Sequence, residues 1–357
     1  MTTDLKVLTA SGAPRARWLE LMNMLPPERR DIHFHPDYMR IYEDTYGHKP
    51  LCLLFETERG VIWQPVLQRI IPNSKLTDIT SVYGYGGPIF ADTPTADHVD
   101  KFQKAVSDWA ERAGCVSEYC LIHPFFSEFQ RDALPSNGRL NLRKEVVNAD
   151  LSKSVTDLWA SIEDRQRKAV LSARKRGVRV LVGDNSDEEF DDFYRRYIET
   201  MKNVGATEFW HFPYNYFKNC RDALGRENVT FFHAWYSGKI VASVFHIHLY
   251  NTVYYHFSCS DIAARSLNPM PLLLFDSMLW AKSAGFTRFH MGGGRTNGHD
   301  TLFKFKNSFC GSTLPLYEYS RVFSGEAFHQ LTDETKEREK RLFGEPKETD
   351  FFPRYRA

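Results

Sequence analysis

The sequence lacks the long apolar run that a membrane-spanning helix requires. No stretch approaches the ~20 apolar residues of such a helix, and the first residues, Met1–Lys6, contain no apolar signal region. The six cysteines form no CxxC pair. Reduced thiols are the plain interpretation of such cysteines. We therefore expect a cytoplasmic protein with no membrane span.

A strong charge of one sign, short repeats and low-complexity segments are also absent. The net charge is +1 at pH 7, so no overall field attracts nucleic acid or membranes, and any RNA contact must come from a local patch. Aromatic residues are plentiful at 14%, and core packing is their commonest use. With 357 residues, the chain is long enough for two domains with separate cores.

The pattern of apolar residues and turns predicts one αβββαβ unit that ends near residue 150 and a second α/β unit after it. In the first half, it predicts helices at 15–47 (broken at Pro26-Pro27) and 97–113, and strands at 51–55, 61–71, 80–85 and 116–122. In the second half, it predicts helices at 156–176, 187–204, 214–224, 270–284 and 325–342, and strands at 178–182, 229–235, 240–249, 252–258, 288–291 and 312–319.

The fold class is therefore α/β, with two similar tandem units that each contain a mixed sheet flanked by helices. We expect an N-terminal domain at 1–150, a second domain at 151–325, and a polar helix and tail at 326–357. His246 and His248 share a strand face but have no third ligand at a useful spacing, so we expect no metal site.

Residues 150–320 carry an ordered set of motifs. They are Asp150-Leu151-Ser152, Leu158-Trp159, the basic run that begins at Arg165, Tyr255-His256-Phe257-Ser258, Met291-Gly292-Gly293, and Phe305-Lys306 with Phe309. This set resembles the second domain of the Fem (FemABX-type) peptidyltransferases, and Tyr83–Pro88 is similar to a Gly-rich stretch in bacterial Fem-like proteins. The resemblance implies two acetyltransferase-like (GNAT) domains, with the domain at 1–150 on the acceptor side and the domain at 151–325 as the transferase domain. It also implies transfer of an amino acid from aminoacyl-tRNA to an amine, without a metal or redox cofactor.

Lys306 is the leading catalytic candidate. Amide formation from an activated ester requires a neutral amine, alignment of the reactants and stabilisation of the oxyanion. In the matching family motif, the lysine is proposed to stabilise the tetrahedral intermediate, and a cation among Phe305 and Phe309 would act in a low dielectric. The alternative is a strand residue whose ammonium lies in water. Lys304 would share its face if the segment were extended, and is the competitor.

In a GNAT-like sheet, two central strands part and the acyl donor enters the gap between them. The resemblance assigns these strands to 252–258 and 288–291. The expected donor-binding residues are Ser258, Cys259, Ser260, Met291, Gly292, Lys304 and Phe305. His290 neighbours the gap and is a second catalytic candidate, as a base. Direct transfer requires no covalent step, so we do not expect Cys259 to be a nucleophile.

The turn at 263–271 contains prolines where acyl-CoA-dependent GNAT enzymes have a Gly-rich loop for the pyrophosphate. This composition favours aminoacyl-tRNA over acyl-CoA as the donor. The expected contacts to tRNA or phosphate are Arg167, Lys168, Arg174, Lys175 and Arg265. The alternative is a solvated helix face whose charges pair with the acidic run at 187–192.

The expected acceptor-binding residues are Tyr38, Tyr42, Tyr83, Tyr85, Lys202 and Asn203. Tyr38 and Tyr42 stand where family members often have Trp and a downstream Lys, and Asn203 stands where they often have Arg. Those basic residues are associated with the diphosphate of the cell-wall precursor. Their replacement leaves the acceptor open among small and nucleotide-linked amines. Tyr83–Pro88 is either a binding loop or a turn that closes the first sheet.

The leading hypothesis is a Fem-like aminoacyltransferase that joins an aminoacyl group from tRNA to an amine. The first alternative is an acyl-CoA-dependent N-acyltransferase that acts on an amino sugar of peptidoglycan or a surface polysaccharide. The second is a non-catalytic binding protein on a degenerate GNAT fold. The amino acid, the acceptor, the pathway and the oligomeric state stay open.

Overall fold

Strands and helices alternate along the chain in the computed structural model, which describes residues 5–58 and 60–357. The strands are β1 (Lys6–Thr9), β2 (Lys49–Thr57), β3 (Gly60–Ile70), β4 (Thr77–Thr80), β5 (Ile89–Phe90), β6 (Cys115–Leu121), β7 (Arg139–Asp150), β8 (Arg179–Val182), β9 (Val229–Tyr236), β10 (Lys239–Leu249), β11 (Thr252–Ser260), β12 (Arg288–Gly292) and β13 (Thr313–Val322). The helices are α1 (Gly12–Met24), α2 (Pro36–Tyr46), α3 (Ala96–Arg112), α4 (Ser127–Asp132), α5 (Val155–Ser161), α6 (Asp164–Lys175), α7 (Asp187–Asn203), α8 (Tyr214–Leu224), α9 (Pro269–Ser283), α10 (Thr301–Asn307) and α11 (Gly325–Phe343).

These elements group into two compact units. The first takes in the described residues of Met1–Arg29, His33–Arg143 and Leu316–Ala357, and the second takes in Arg30–Ile32 and Lys144–Pro315. The domain bounds predicted from the sequence, at 150 and 325, stay a prediction.

The sheet of the first unit has the order β1-β2-β3-β4-β6-β13. The first four strands are antiparallel neighbours, and β5 adds a short pair on β3. β4 and β6 are parallel, and β13 returns antiparallel to β6. Helix α3 lies between the two parallel strands in sequence, as such a crossover requires.

The sheet of the second unit repeats this plan in the order β8-β9-β10-β11-β12-β7. β8 to β11 form an antiparallel meander, β11 and β12 are parallel, and β7 is antiparallel to β12. Helix α9 connects the parallel pair. Both sheets are therefore mixed, and the predicted α/β class with a mixed sheet flanked by helices in each unit is confirmed.

The two faces of the second sheet bury different side chains. α9 is apolar nearly all round, and its Leu272, Leu273 and Met278 pack with Phe289 and Met291 of β12 in one cluster. On the other face, Phe193 and Tyr197 of α7 contact a second aromatic group that includes Phe217 and Phe257. The high aromatic content is therefore used largely for packing, as expected.

Several local predictions were wrong. The strand predicted at 80–85 ends at Thr80, because Gly84 has φ +119 and carries the chain into a loop. The single helix predicted at 156–176 is two helices, since Ile162 is extended between α5 and α6. The extended conformation considered for Lys304 and Lys306 is wrong, because both lie on α10. Strand β7 was not predicted.

Within the described part of the chain, no helix has the length and the apolar character needed to cross a membrane.

The first unit contains a buried ion pair whose loss tests its stability. Arg321 donates to Glu118 at 2.7 Å with both side chains almost fully buried. We expect Arg321→Met to lower the free energy of unfolding by about 3–5 kcal/mol, because it leaves the Glu118 carboxylate buried without a counter-ion, with only the hydrogen bond from Gln64. Urea unfolding followed by circular dichroism measures the loss. The double variant Glu118→Gln with Arg321→Met should lose much less, and an equal loss in both variants would contradict this account.

Candidate active site

The parallel pairing of β11 and β12 stops partway along both strands. Its register runs from Thr252↔Arg288 to Tyr254↔His290 and includes no later pair. Residues 255–260 continue beside β10, while Gly292 pairs with Val147 of β7. The ends of the two central strands therefore part, as expected for a GNAT-like sheet. The predicted donor residues Ser258, Cys259, Ser260, Met291 and Gly292 all lie on these ends.

Lys306 lies at the end of β12. Only its side chain reaches that strand end, because Lys306 itself belongs to α10. This helix begins after Asp300, and the Asp300 carboxylate accepts from the backbone N–H groups of Leu302 and Phe303. Only 7% of Lys306 is exposed, and its Nζ donates to the Gly293 carbonyl at 2.8 Å. The same Nζ lies 5.4 Å from the centroid of the Tyr255 ring, which is within cation–π range. Lys306 is thus a buried amine and not a strand residue in water.

Burial and, to a smaller extent, the ammonium of Lys144 lower the pKa of Lys306 to about 7, against the opposing effect of Asp300. An amine with this pKa exists in both protonation states near neutral pH. The group at the strand end can therefore exchange a proton as well as present a positive charge.

The side chains of Lys304 and Phe305 lie on other sides of α10 than the side chain of Lys306. Successive residues of a helix are rotated by about 100°, so Lys304 and Lys306 face different ways. Lys304 is exposed, and the half-buried Phe305 packs against Phe309 at 5.4 Å between ring centroids. Burial therefore favours Lys306 over Lys304 as the catalytic candidate, and the catalytic role stays a prediction.

The loop after β12 is held by residues that the sequence did not single out. Lys144 of β7 donates to the Gly294 carbonyl at 3.1 Å. Asp300 also accepts from the N–H of Thr296 at 2.8 Å. Burial raises the pKa of Asp300, but hydrogen bonds from Phe303, Thr296 and Arg295 outweigh it and lower the pKa to about 2. An aspartate one residue before a helical apolar pattern is an N-cap signal that would have predicted α10.

Tyr255 is a further residue that sequence reasoning left unassigned in this site. Its hydroxyl donates to the Ser258 hydroxyl at 2.6 Å, and burial raises its pKa to about 12. Tyr255 therefore stays neutral and connects Lys306, which lies over its ring, with Ser258 on the parting strand end.

Cys259 is buried beside a series of polar side chains that are hydrogen-bonded to one another. Its neighbour across the sheet is Ser243, whose hydroxyl lies 2.7 Å from Nδ1 of His233, and Nε2 of His233 lies 2.7 Å from Glu189. This order resembles a hydrolytic triad, but Ser243 is 0% exposed and no substrate reaches it. Burial raises the pKa of Cys259 to about 12, so almost no thiolate is present. These observations agree with the expectation that Cys259 is not a nucleophile.

His290 lies on the other face of the sheet from the core residues Phe289 and Met291. Its ring is 5.4 Å from that of Tyr254, whose hydroxyl donates to Asp31 at 2.5 Å. Lys306 contacts the neighbouring Tyr255, and adjacent residues of a strand point to opposite faces. The structure therefore does not bring the two catalytic candidates to one face, and a role of His290 as base stays a prediction.

His246 and His248 share a face, as expected, but they contact aromatic rings. His246 is 5.3 Å from Phe289, and His248 is 5.2 Å from Trp280 and hydrogen-bonds Thr230. Burial lowers the pKa of His246 to about 3 and that of His248 to about 4. Both are neutral members of the core.

The basic residues of α6 are less free than the sequence suggested. Lys168 and Arg167 pair with Asp164 at 2.7 and 3.7 Å, and Arg174 pairs with Asp276 at 2.6 Å. The alternative of pairing with the acidic run at 187–192 is wrong for three of its residues. Asp187 pairs with Arg221 and Lys218, Asp192 with Arg195 and Arg196, and Glu189 with His233. These acidic residues lie near the start of helix α7, where negative charge interacts favourably with the positive end of the helix dipole.

Lys175 and Arg265 are both exposed, and neither is in an ion pair among the described residues. Arg265 lies in a short 3-10 helix, Ile262–Leu267, and Arg176 donates to the Ser266 carbonyl of that helix. The C-terminal end of α6 and the turn before α9 therefore form one cationic corner of the second unit.

The predicted acceptor tyrosines gather around the Gly-rich loop of the first unit. The hydroxyls of Tyr38 and Tyr42 on α2 donate to the Tyr83 carbonyl at 3.0 and 3.3 Å. Tyr85 is buried and lies 5.0 Å from the ring of His33. A Cβ on Gly84 would lie 2.2 Å from His33 Nε2, so the loop approaches that ring as only glycine allows.

The loop also closes the first sheet. The Gly86 N–H donates to the Leu121 carbonyl at 2.8 Å, past the end of β4. Lys202 and Asn203 belong to the second unit, where they are exposed at the C-terminal end of α7. The acceptor-binding roles of all six residues stay a prediction.

Comparisons with known proteins agree with this architecture. Residues 161–306 match the acetyltransferase (GNAT) domain family. The protein has a tandem GNAT fold. The resemblance to the Fem enzymes is thus confirmed at the level of the fold. None of the curated proteins matches the chain.

Three similar solved structures cover nearly the whole chain. FemX is 14% identical, with 88% of this chain and 97% of that chain covered and a TM-score of 0.69. The C-terminal domain of a putative lysylphosphatidylglycerol synthetase from Agrobacterium fabrum is 17% identical, with 90% and 94% covered and a TM-score of 0.54. A tandem GNAT protein from the clavulanic acid biosynthesis pathway is 8% identical, with 90% and 99% covered and a TM-score of 0.52.

The buried thiol at the strand end provides a test of direct transfer. We expect Cys259→Ala to keep the rate of amide formation within about threefold, because a thiol with a pKa of about 12 forms no covalent intermediate. The measurement is the initial rate of amide formation, with intact-protein mass spectrometry to detect any acylated enzyme. An acyl adduct on Cys259, or a rate loss of about 100-fold or more, would contradict direct transfer.

Proposed function

We propose that the protein is an aminoacyltransferase that moves an aminoacyl group from aminoacyl-tRNA to the amine of a small or nucleotide-linked acceptor. The single observation that carries the proposal is Lys306, a buried amine at the point where the two central strands part. The tandem GNAT fold and the ordered Fem-like motifs in 150–320 support this class of reaction.

Lys306 supports amide formation through its position. The donor's carbonyl group would enter between the strand ends, and the Lys306 ammonium would approach the carbonyl oxygen as it becomes an oxyanion. In a buried site, this attraction is much stronger than in water. Tyr255 and Ser258 would form the opposite wall.

The start of α9 supports tRNA over acyl-CoA as the donor. A helix N-terminus binds pyrophosphate through free backbone N–H groups. Here Pro269 and Pro271 occupy two of the first three helical positions and have no N–H to donate. Asn268 before them has φ +56 and makes no side-chain cap. The cationic corner with Lys175 and Arg265 would instead contact the phosphates of an RNA end.

The proposal is tested with charged tRNA. Purified protein is incubated with aminoacylated total tRNA and a panel of amino sugars, peptides and nucleotide-linked amines, and amide products are followed by mass spectrometry. Formation of an amide that ceases on RNase treatment supports the proposal. Turnover that survives RNase and requires acyl-CoA would instead support the N-acyltransferase alternative. No turnover with either donor would favour a binding protein.

Replacement of Lys306 tests its role directly. We expect Lys306→Ala to lower the rate of amide formation by roughly 100- to 1,000-fold, the usual effect of removing one oxyanion-stabilising group. Lys304→Ala is the matched control on the same helix and should keep the rate, since Lys304 is exposed. Circular dichroism verifies that both variants fold. Equal rates in wild type and Lys306→Ala would remove Lys306 from the mechanism.

The cationic corner predicts a salt-dependent RNA contact. We expect the double variant Lys175→Ala with Arg265→Ala to bind tRNA more weakly and to reduce the slope of log K against log salt by roughly 1 to 2, since each phosphate contact contributes about 0.7–0.9. Lys168→Ala is the control, because Lys168 pairs with Asp164 at 2.7 Å. Filter binding at several salt concentrations measures both slopes. Equal slopes in the double variant and wild type would show that the cationic corner does not contact RNA.

A further inference from the structure

Lys306 is a buried amine whose hydrogen-bond acceptor carries no charge. Among the described residues, no carboxylate lies within ion-pair distance of its Nζ, although other lysines and arginines of the second unit have such partners. Its hydrogen bond goes to the neutral carbonyl of Gly293. Burial of an ammonium that no anion compensates favours the neutral amine.

A second ammonium lies on the next carbonyl of the same loop. Lys306 donates to the Gly293 carbonyl at 2.8 Å, and Lys144 donates to the Gly294 carbonyl at 3.1 Å. The stem of Lys144 packs on Gly293, where a Cβ would lie 3.0 Å from Lys144 Cε. Lys144 belongs to β7, which pairs with β12 up to Gly292↔Val147, and the Glu145 carbonyl would lie 3.2 Å from the same Cβ, so the β7 backbone runs beside Gly293. Two like charges are thus held beside one another at the strand ends.

The other titratable groups around Lys306 offset this repulsion only in part. Asp300 begins the same helix and opposes the shift, but its carboxylate accepts from the backbone at Leu302, Phe303 and Thr296 and forms no ion pair with Lys306 among the described residues. Tyr255 on β11 is neutral at ordinary pH. Glu145, the neighbour of Lys144, pairs with His299 at 2.7 Å and accepts from Thr313 at 2.6 Å. His290 on β12 lies against Tyr254 on the other face.

We propose that Lys144 is a positioning residue for Lys306: its ammonium, held on the Gly294 carbonyl, favours the neutral form of Lys306, which then takes the proton that the acceptor's ammonium must lose before it attacks. This inference rests on the proposed function and deepens it, because it assigns the base of the reaction. Lys306 first removes a proton and then, as the resulting cation, stabilises the oxyanion.

The proton and electron balance of the step is complete. The acceptor ammonium gives one proton to Lys306 and becomes a neutral amine. The amine nitrogen forms a bond to the carbonyl carbon, and the electron pair of the C=O bond moves to the oxygen, beside the new Lys306 ammonium. When the tetrahedral intermediate collapses, the bond to the donor oxygen breaks, and that oxygen leaves with the second proton of the amine nitrogen. Lys306 returns its proton to solvent.

The protonation of Lys306 is measurable without any substrate. In the full-length protein, the ¹⁵N and ¹³Cε signals of lysines are followed by NMR across pH, and the Lys306 signal is assigned by its loss in Lys306→Arg. We expect a midpoint near pH 7 in the wild type, where burial and Lys144 lower the pKa of Lys306 to about 7. In Lys144→Met, the midpoint should rise by roughly 0.5–1 pH unit, because one like charge is removed.

Lys144→Arg is the matched variant that keeps the charge, and its midpoint should stay near that of the wild type. Lys144→Gln is a second uncharged variant in case Lys144→Met does not fold. An ordinary midpoint near 10 in the wild type, or the same midpoint in Lys144→Met, Lys144→Gln and wild type, would overturn the inference.

The pH dependence of the rate distinguishes a base from a permanent cation. The pKa of Lys306 is lowered, so the neutral form is present above about pH 7 and is lost as pH falls through that value. If Lys306 acts as a base, the rate should rise with pH through this midpoint. In Lys144→Met, the rising part of the pH–rate profile should move to higher pH. A rate that falls as pH rises through the same midpoint would show that only the cation is needed, and would overturn the base role.

Failure of the inference and failure of the proposed function give different results. If the protein transfers no aminoacyl group, the NMR midpoints still report whether Lys144 controls Lys306. If transfer from tRNA occurs but the midpoints do not respond to Lys144, the function stands and this inference is wrong.

Discussion

The hydrogen bond from Lys306 to the Gly293 carbonyl, at the place where two parallel strands part, organises the second unit's candidate site. It requires Gly292 at φ +68, which turns the chain after β12. It also requires Asp300, which begins α10 and so directs Lys306 inward. With these local features, a long flexible side chain that would ordinarily seek water is held in a buried position beside a free strand end. Its protonation then becomes sensitive to its neighbours.

The two units share one sheet plan, but the corresponding places in them differ. In the first unit, the parallel pair β4 and β6 ends and the Gly-rich loop follows, with Gly86 donating to Leu121 past the strand end. In the second unit, β11 and β12 part after Tyr254↔His290, and a buried lysine lies beside the opening. The first opening is closed by backbone, and the second is lined by side chains that can act on a carbonyl.

Much of the architecture was predictable, because the spacing of apolar residues and the positions of turn residues are local signals of helices and strands. The meander, the crossover helix α9 and the acidic start of α7 follow from such signals. The site was harder to predict. The sequence pattern around Lys306, with Phe305 before it and Phe309 after it, fits a strand or a helix equally well. Only the N-cap at Asp300 indicates the helix α10. Lys144 was missed because its position depends on β7 pairing with β12, a contact between residues nearly 150 positions apart.

The central claim is that Lys306 meets the donor's carbonyl oxygen. Its most direct test is a crystal structure with a short RNA hairpin whose 3′ end carries, through a stable amide, the amino acid that the protein transfers. The account predicts this carbonyl between the ends of β11 and β12, with its oxygen within hydrogen-bond distance of Lys306 Nζ. A carbonyl bound elsewhere, with Lys306 still on Gly293 and no contact to the donor, would contradict it.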